Sequence, residues 1–186
     1  MAPDPESRPT SSATCRTADC RLLLVRHAKA VQKDLPIDDF DRPLSERGYA
    51  DAPRTGHWLA DAGFAPDLVL CSPARRTRQT WQLAASALKD PPPVVYDERL
   101  YNAAPSMLAA VLAERGPGLG CVVLVGHNSG IHELAVGLGG SGPLDLLERV
   151  RTGFPTSGVV VMDVLSGWER LVPGSGTVAA FWSPAD

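Results

Sequence analysis

The sequence predicts an α/β protein, a three-layer α/β/α sandwich around a mostly parallel central sheet. Three observations carry this. Short unbroken apolar runs such as Leu22-Leu23-Leu24-Val25 and Val122-Val123-Leu124-Val125 read as strands covered on both faces. Segments with apolar residues at helical spacing follow them. Gly and Pro, 17 residues each, supply the breaks for many short connections. The 186 residues are about one domain's worth, and no internal repeat interrupts the rhythm.

Taken in order, residues 1–20 are rich in Pro, Ser, Thr and Asp and read as a disordered tail, leaving residues 21–186 as the folded domain. The first strand, Leu22 to Val25, leads through a long polar loop to a helix beginning near Ser45. Pro53 should bend that helix or end it early, because an interior proline removes a hydrogen bond. Leu68 to Leu70 is the second strand. Ser72 and Pro73 then read as the N-cap and first position of a helix with Thr77, Thr80, Trp81, Ala84 and Leu88 on one face. A short Val94-Val95-Tyr96 strand and a helix carrying Leu108, Val111 and Leu112 follow. The Val122 to Val125 strand leads into a helix with Ile131, Leu134, Ala135 and Leu138. Residues 116–120 and 137–142 read as loops, and strands near Val159 to Val164 and Val178 to Trp182 close the chain.

Composition excludes several functions. No apolar run approaches the ~20 residues that span a bilayer, and the polar N-terminus has no apolar core of a secretory signal. A net charge of −3 argues against a general nucleic-acid binder, though not against a local basic pocket. Cys15, Cys20, Cys71 and Cys121 follow no metal or disulfide spacing, so a reducing cytoplasm is the expected setting.

Ligands of open α/β sheets bind beyond the carboxyl ends of the strands. Arg26-His27 follows the first run, Ser72-Pro73-Ala74-Arg75-Arg76 the second, Asp97-Glu98 the third and Gly126-His127-Asn128 the fourth. Each piece alone reads as a cap, a turn or a solvated loop, but four together place two histidines, arginines and an acid at one edge. Neighbouring cations keep an imidazole unprotonated and nucleophilic, and guanidinium forks match phosphate oxygens. A carboxylate can protonate a leaving oxygen. The set suits phosphoryl transfer through a phosphohistidine without a metal.

The chain resembles the histidine phosphatase superfamily, which includes the cofactor-dependent phosphoglycerate mutases, and within it the small SixA-type phosphohistidine phosphatases. The matching stretches are Leu24-Val25-Arg26-His27-Ala28-Lys29-Ala30, Asp41-Arg42-Pro43-Leu44-Ser45-Glu46-Arg47-Gly48 and Ser72-Pro73-Ala74-Arg75-Arg76-Thr77-Arg78-Gln79-Thr80. Glu98 to Ala103, Val125-Gly126-His127-Asn128 and Phe154-Pro155-Thr156-Ser157-Gly158 complete them, so the likeness covers about residues 21–165. It implies a phosphoglycerate mutase-like fold, His27 as nucleophile, and Arg26, Arg76 (rather than Arg75) and His127 as phosphate ligands. Glu98 falls where the superfamily places a general acid, with Asp97 adjacent and Asp34, Asp38 and Asp39 as outside candidates. No cofactor and no metal are implied.

The expected activity is a metal-independent phosphatase acting on a phosphohistidine protein or a small phosphoester. A phosphoglycerate mutase-like enzyme and a non-catalytic phospho-ligand module are the alternatives. Neither a nucleic-acid nor a membrane partner is expected, and oligomeric state is not readable. His57, Trp58, Trp81 and the His132-Glu133 pair read as packing or surface residues. Arg75 and Arg78 read as solvent-facing, and Lys29 is near enough to His27 to add positive potential.

Overall fold

The computed structural model describes residues 20–34 and 36–184, so all but Cys20 of the expected N-terminal tail lies outside the described residues. Cys20 opens the first strand. The elements are β1 (Cys20–Arg26), α1 (Glu46–Asp61), β2 (Leu68–Cys71), α2 (Arg75–Ala85), β3 (Val94–Tyr96), α3 (Pro105–Arg115) and β4 (Cys121–Gly126). They continue with α4 (Gly130–Leu138), β5 (Gly139–Ser141), α5 (Leu144–Thr152), β6 (Val159–Val164) and β7 (Gly176–Trp182). The seven strands form one sheet in the order β3-β2-β4-β1-β6-β7-β5. β6 is antiparallel to both its neighbours and alone runs against the other strands, so the sheet is mostly parallel.

Side-chain alternation in β1 explains the three layers. Leu22 and Leu24 point to one apolar core with Leu108, Leu112, Ile131 and Leu134 of α3 and α4, where Val150 of α5 also packs. Leu23 and Val25 point to a second core with Leu59, Trp81 and Ala84 of α1 and α2. α1 and α2 approach closely because Gly56 lies against the Ala84 carbonyl, where a Cβ would collide. No helix among the described residues is long and apolar enough to cross a membrane.

The structure corrects four expectations. α1 does not end early at Pro53 but continues to Asp61, because Ala52, Thr55, Gly56 and Leu59 are buried and their packing offsets the lost hydrogen bond. α2 is capped by Ala74 instead of Ser72, whose hydroxyl is engaged elsewhere, and it ends before Leu88. The glycine-rich 137–142 stretch holds the end of α4 and β5, which pairs with β7. α5 was not anticipated.

Candidate active site

Strand register places the site. β1 and β4 pair in parallel with Arg26 beside Gly126, so the next residues, His27 and His127, leave the sheet side by side. Their ring centroids are 5.2 Å apart. β4 pairs in turn with β2, Val125 beside Cys71, which brings Ser72 next to His127. The loop before β6 closes the same edge: the Arg26 amide donates to Gly158 O (3.1 Å) and the Ser157 amide to His27 O (3.3 Å). Thr80 of α2 fixes the turn after His27 by accepting from the Ala28 amide at 2.9 Å.

The loop between β1 and α1 folds back on itself over this edge. Ser45 caps α1 and its amide donates to Lys29 O (2.8 Å), while Val31 N donates to Pro43 O (3.0 Å). Gly48 is required here, since any Cβ would strike the Lys29 carbonyl. The fold-back carries Arg42 inward, and its Nη1 donates to Val31 O at 2.6 Å.

A cavity of about 350 Å³ results, lined by Arg26, His27, Lys29, Arg42, Arg76 and His127 together with Ala30, Val31, Gln32, Lys33, Asn102, Asn128 and Thr156. It gathers four of the five residues singled out from sequence. The fifth, Glu98, is exposed and lies in a short 3-10 turn outside the lining, so the structure does not bring it to the histidines. Asp97 caps that turn and is gripped by Arg99 (Nη2 to Oδ2, 2.7 Å), which holds its carboxyl below the usual range.

Hydrogen bonding sets the state of each imidazole. His27 Nδ1 lies 2.7 Å from Ala28 O. A carbonyl only accepts, so Nδ1 bears the proton and the lone pair sits on Nε2. Burial lowers the His27 pKa to about 3, opposed by that hydrogen bond and reinforced by Arg76, Arg26 and Arg42. His127 is held at about 2, chiefly by burial and then by His27 and Arg76. Its Nε2 lies 2.7 Å from Ser72 Oγ. The hydroxyl can donate or accept in this contact; when it donates to Nε2, the neutral ring keeps a donor at Nδ1.

Asp39 organises the opposite wall. Its Oδ1 accepts from Arg42 Nε (3.0 Å), and its Oδ2 accepts from Arg76 Nη2 (3.1 Å) and the Tyr101 hydroxyl (2.7 Å). Arg76 Nη1 donates to the Asp39 carbonyl. Despite the opposing cost of its own burial, Tyr101, Arg76 and Arg42 hold this carboxyl well below the ordinary range. Tyr101 also meets His127 edge-on at 5.6 Å. Meanwhile Arg26 Nε, Arg76 Nε and His127 Nδ1 are buried with no hydrogen-bond partner. Orphaned buried donors are rare and costly, and three of them on residues lining one cavity fit an anion with several acceptor oxygens.

Arg42, the Ser72–His127 contact and the Asp39–Arg76–Tyr101 cluster were missed from sequence. Arg42 stood in a stretch already singled out, yet nothing local marks it as buried, because the fold-back that buries it is tertiary.

Comparison with known proteins identifies the family. Residues 22–104 match the sequence profile of the histidine phosphatase superfamily, branch 1. An uncharacterized protein of Mycobacterium tuberculosis is 38% identical over 162 residues, covering 86% of this chain and 99% of the relative. Among solved structures, a protein assigned as phosphohistidine phosphatase SixA from Agrobacterium tumefaciens is 34% identical with a TM-score of 0.74, covering 89% of this chain and 99% of that one. Its counterpart from Nakamurella multipartita is 26% identical with a TM-score of 0.77, covering 90% and 97%. A phosphatase assigned to α-ribazole-5'-phosphate from Escherichia coli, 18% identical with a TM-score of 0.59, shares the phosphoglycerate mutase-like fold, covering 89% and 97%. The chain belongs to the histidine phosphatase superfamily and, within it, to the SixA-type phosphatases.

Proposed function

We propose that the protein is a metal-independent phosphatase that works through a phosphohistidine on His27, with protein-bound phosphohistidine as its substrate. The observation that carries this reading is a cavity with a neutral imidazole among cations and, among the described residues, no carboxylate in its lining. Asp39, the acid nearest the cationic wall, is ion-paired to Arg42 and Arg76 and holds no proton near neutral pH.

An alkyl phosphoester leaves as a poor alkoxide unless an acid protonates it. A phosphohistidine leaves as an imidazole, which takes its proton from solvent. A site without a poised acid therefore favours the phosphoramidate. The likeness to a SixA-assigned protein over nearly the whole of its length supports the same substrate class.

The chemistry runs in two in-line steps. His27 Nε2 attacks phosphorus, the bond to the substrate nitrogen breaks, and the leaving imidazole is protonated by water. A water then attacks the phosphohistidine, its proton passes to solvent, the N–P bond breaks and its electron pair returns to Nε2 as orthophosphate departs. Arg26, Arg76 and His127 Nδ1 face the equatorial oxygens and stabilise the charge that grows there.

Orthophosphate release from a phosphohistidine protein, measured with chelator present, tests the reading. Wild-type protein should turn it over well above an alkyl phosphomonoester, and His27→Ala should lower the rate by at least about 10³-fold. Full activity in the variant, or complete loss on chelation, refutes it.

A further inference from the structure

The cavity holds more positive charge than one phosphoryl group and Asp39 require. A phosphoryl group brings about two negative charges, and Arg26 and Arg76, which line the cavity and each have a buried Nε without a partner, balance them. Asp39, shared by Arg42 and Arg76, offsets one more cation. Lys29 and Lys33 remain. Both are exposed, both line this cavity, and neither makes an ion pair with a described residue.

Their placement is not a general basic surface. The whole chain has only Lys29, Lys33 and Lys89 and a net charge of −3, so two of its three lysines stand at one mouth. The Lys29 backbone is fixed, since its carbonyl accepts from both the amide and the hydroxyl of Ser45 (2.8 and 3.0 Å). A rigid root with a flexible ammonium at its tip suits a charge whose position varies between ligands, where a guanidinium fork would impose geometry.

We propose that Lys29 and Lys33 form a second-anion subsite, which binds an anionic group carried by the substrate beside its phosphoryl group. That group is either an acidic side chain flanking the phosphorylated residue of a protein or a carboxylate on a small molecule. The subsite deepens the phosphatase reading and rests on it, but its occupancy is measured without turnover.

Titration calorimetry on the full chain tests it with two pairs of non-hydrolysable probes. The first pair is ethylphosphonate and 3-phosphonopropionate, which differ by a carboxylate. The second is a pair of peptides bearing a phosphoryltriazole in place of phosphohistidine, flanked by Asp or by Asn. The acidic member of at least one pair should bind about tenfold tighter, as two partly screened ion pairs allow. In the Lys29→Gln/Lys33→Gln double variant the preference should fall to within about twofold, and added salt should weaken it in wild type. Preference confined to the phosphonates identifies a small-molecule source, and preference in the peptides a protein source. Equal affinity within both pairs, or a preference that survives in the double variant, overturns the subsite. A preserved preference with no phosphohistidine turnover sinks the phosphatase reading alone.

Discussion

The two edges of the parallel strands carry cavities of similar size and opposite character. At the amino ends of β1 and β4 a cavity of about 320 Å³ is lined by Arg21, Phe64, Cys121 and Asp163. Its arginine is neutralised by Asp163 at 2.7 Å. At the carboxyl ends, the cavity of about 350 Å³ around His27 has five cationic side chains in its lining and no carboxylate. Arg21 and Arg26 stand on the same strand five residues apart, yet only Arg26 has a buried nitrogen without a partner. Volume does not distinguish the edges. Uncompensated charge and orphaned donors do, because they leave favourable interactions for a ligand to complete.

The sharpest break of this comparison is an alanine at each kind of arginine. Arg76→Ala should lower kcat/KM about 10²–10³-fold, the size of loss seen when a fixed donor to a developing oxyanion is removed. Arg75 is exposed on the same helix, and Arg21→Ala alters only the amino edge; both should stay within about twofold, since surface pairs contribute little. Because Arg76 also anchors Asp39, the melting temperature of each variant should be measured beside its kinetics. Equal kinetic losses at positions 75 and 76 would refute the assignment of the anion clamp.

The same contrast shows what was legible in the sequence. Apolar runs give away a parallel sheet, and parallel strands stack their carboxyl ends, so Arg26, His27, the Arg75-Arg76 pair and His127 gather at one edge from sequence alone, while the choice of Arg76 over Arg75 rests on the family resemblance. Glu98 failed for a local reason. It follows β3, an edge strand paired only with β2, and the chain turns there into a 3-10 turn that leaves the side chain exposed. α5 escaped the reading although Leu146, Leu147 and Val150 pack against the first core, because nine residues give too few turns for its stripe to stand out between two glycine-flanked loops. Arg42 and Asp39 meet the site only through the pairing of residues 29–31 with 43–45, a contact between segments that no spacing rule reports.

A smaller effect is expected at Ser72, which is fully buried and lies 2.7 Å from His127 Nε2. In our reading the Ser72 hydroxyl donates to Nε2, so Ser72→Ala should let the proton redistribute toward Nε2, away from the face that meets phosphate. We expect kcat to fall about tenfold, the equivalent of one modest hydrogen bond, with KM changing less. Nitrogen NMR of the His127 ring separates positioning from mere packing: the protonated nitrogen should shift from Nδ1 toward Nε2. An unchanged tautomer with reduced kcat would show that Ser72 acts otherwise.

The smallest effect is one of stability, and its sign follows from the two histidines. An unfolded histidine titrates near 6.5, whereas His27 stays neutral to about 3 and His127 to about 2. Between these limits the unfolded chain binds protons that the folded chain refuses, so stability is fully present above pH 6.5 and declines as the pH falls toward 3. Each such histidine contributes a slope of up to about 1 kcal/mol per pH unit once the openness of the cavity is allowed for. Urea midpoints of wild type and His27→Gln between pH 6 and pH 4 isolate the term, because carboxylates common to both proteins cancel in the difference. The variant should lose less stability across that interval. Parallel slopes would mean that His27 already takes up a proton in the folded state, and a protonated imidazole has no lone pair with which to attack phosphorus.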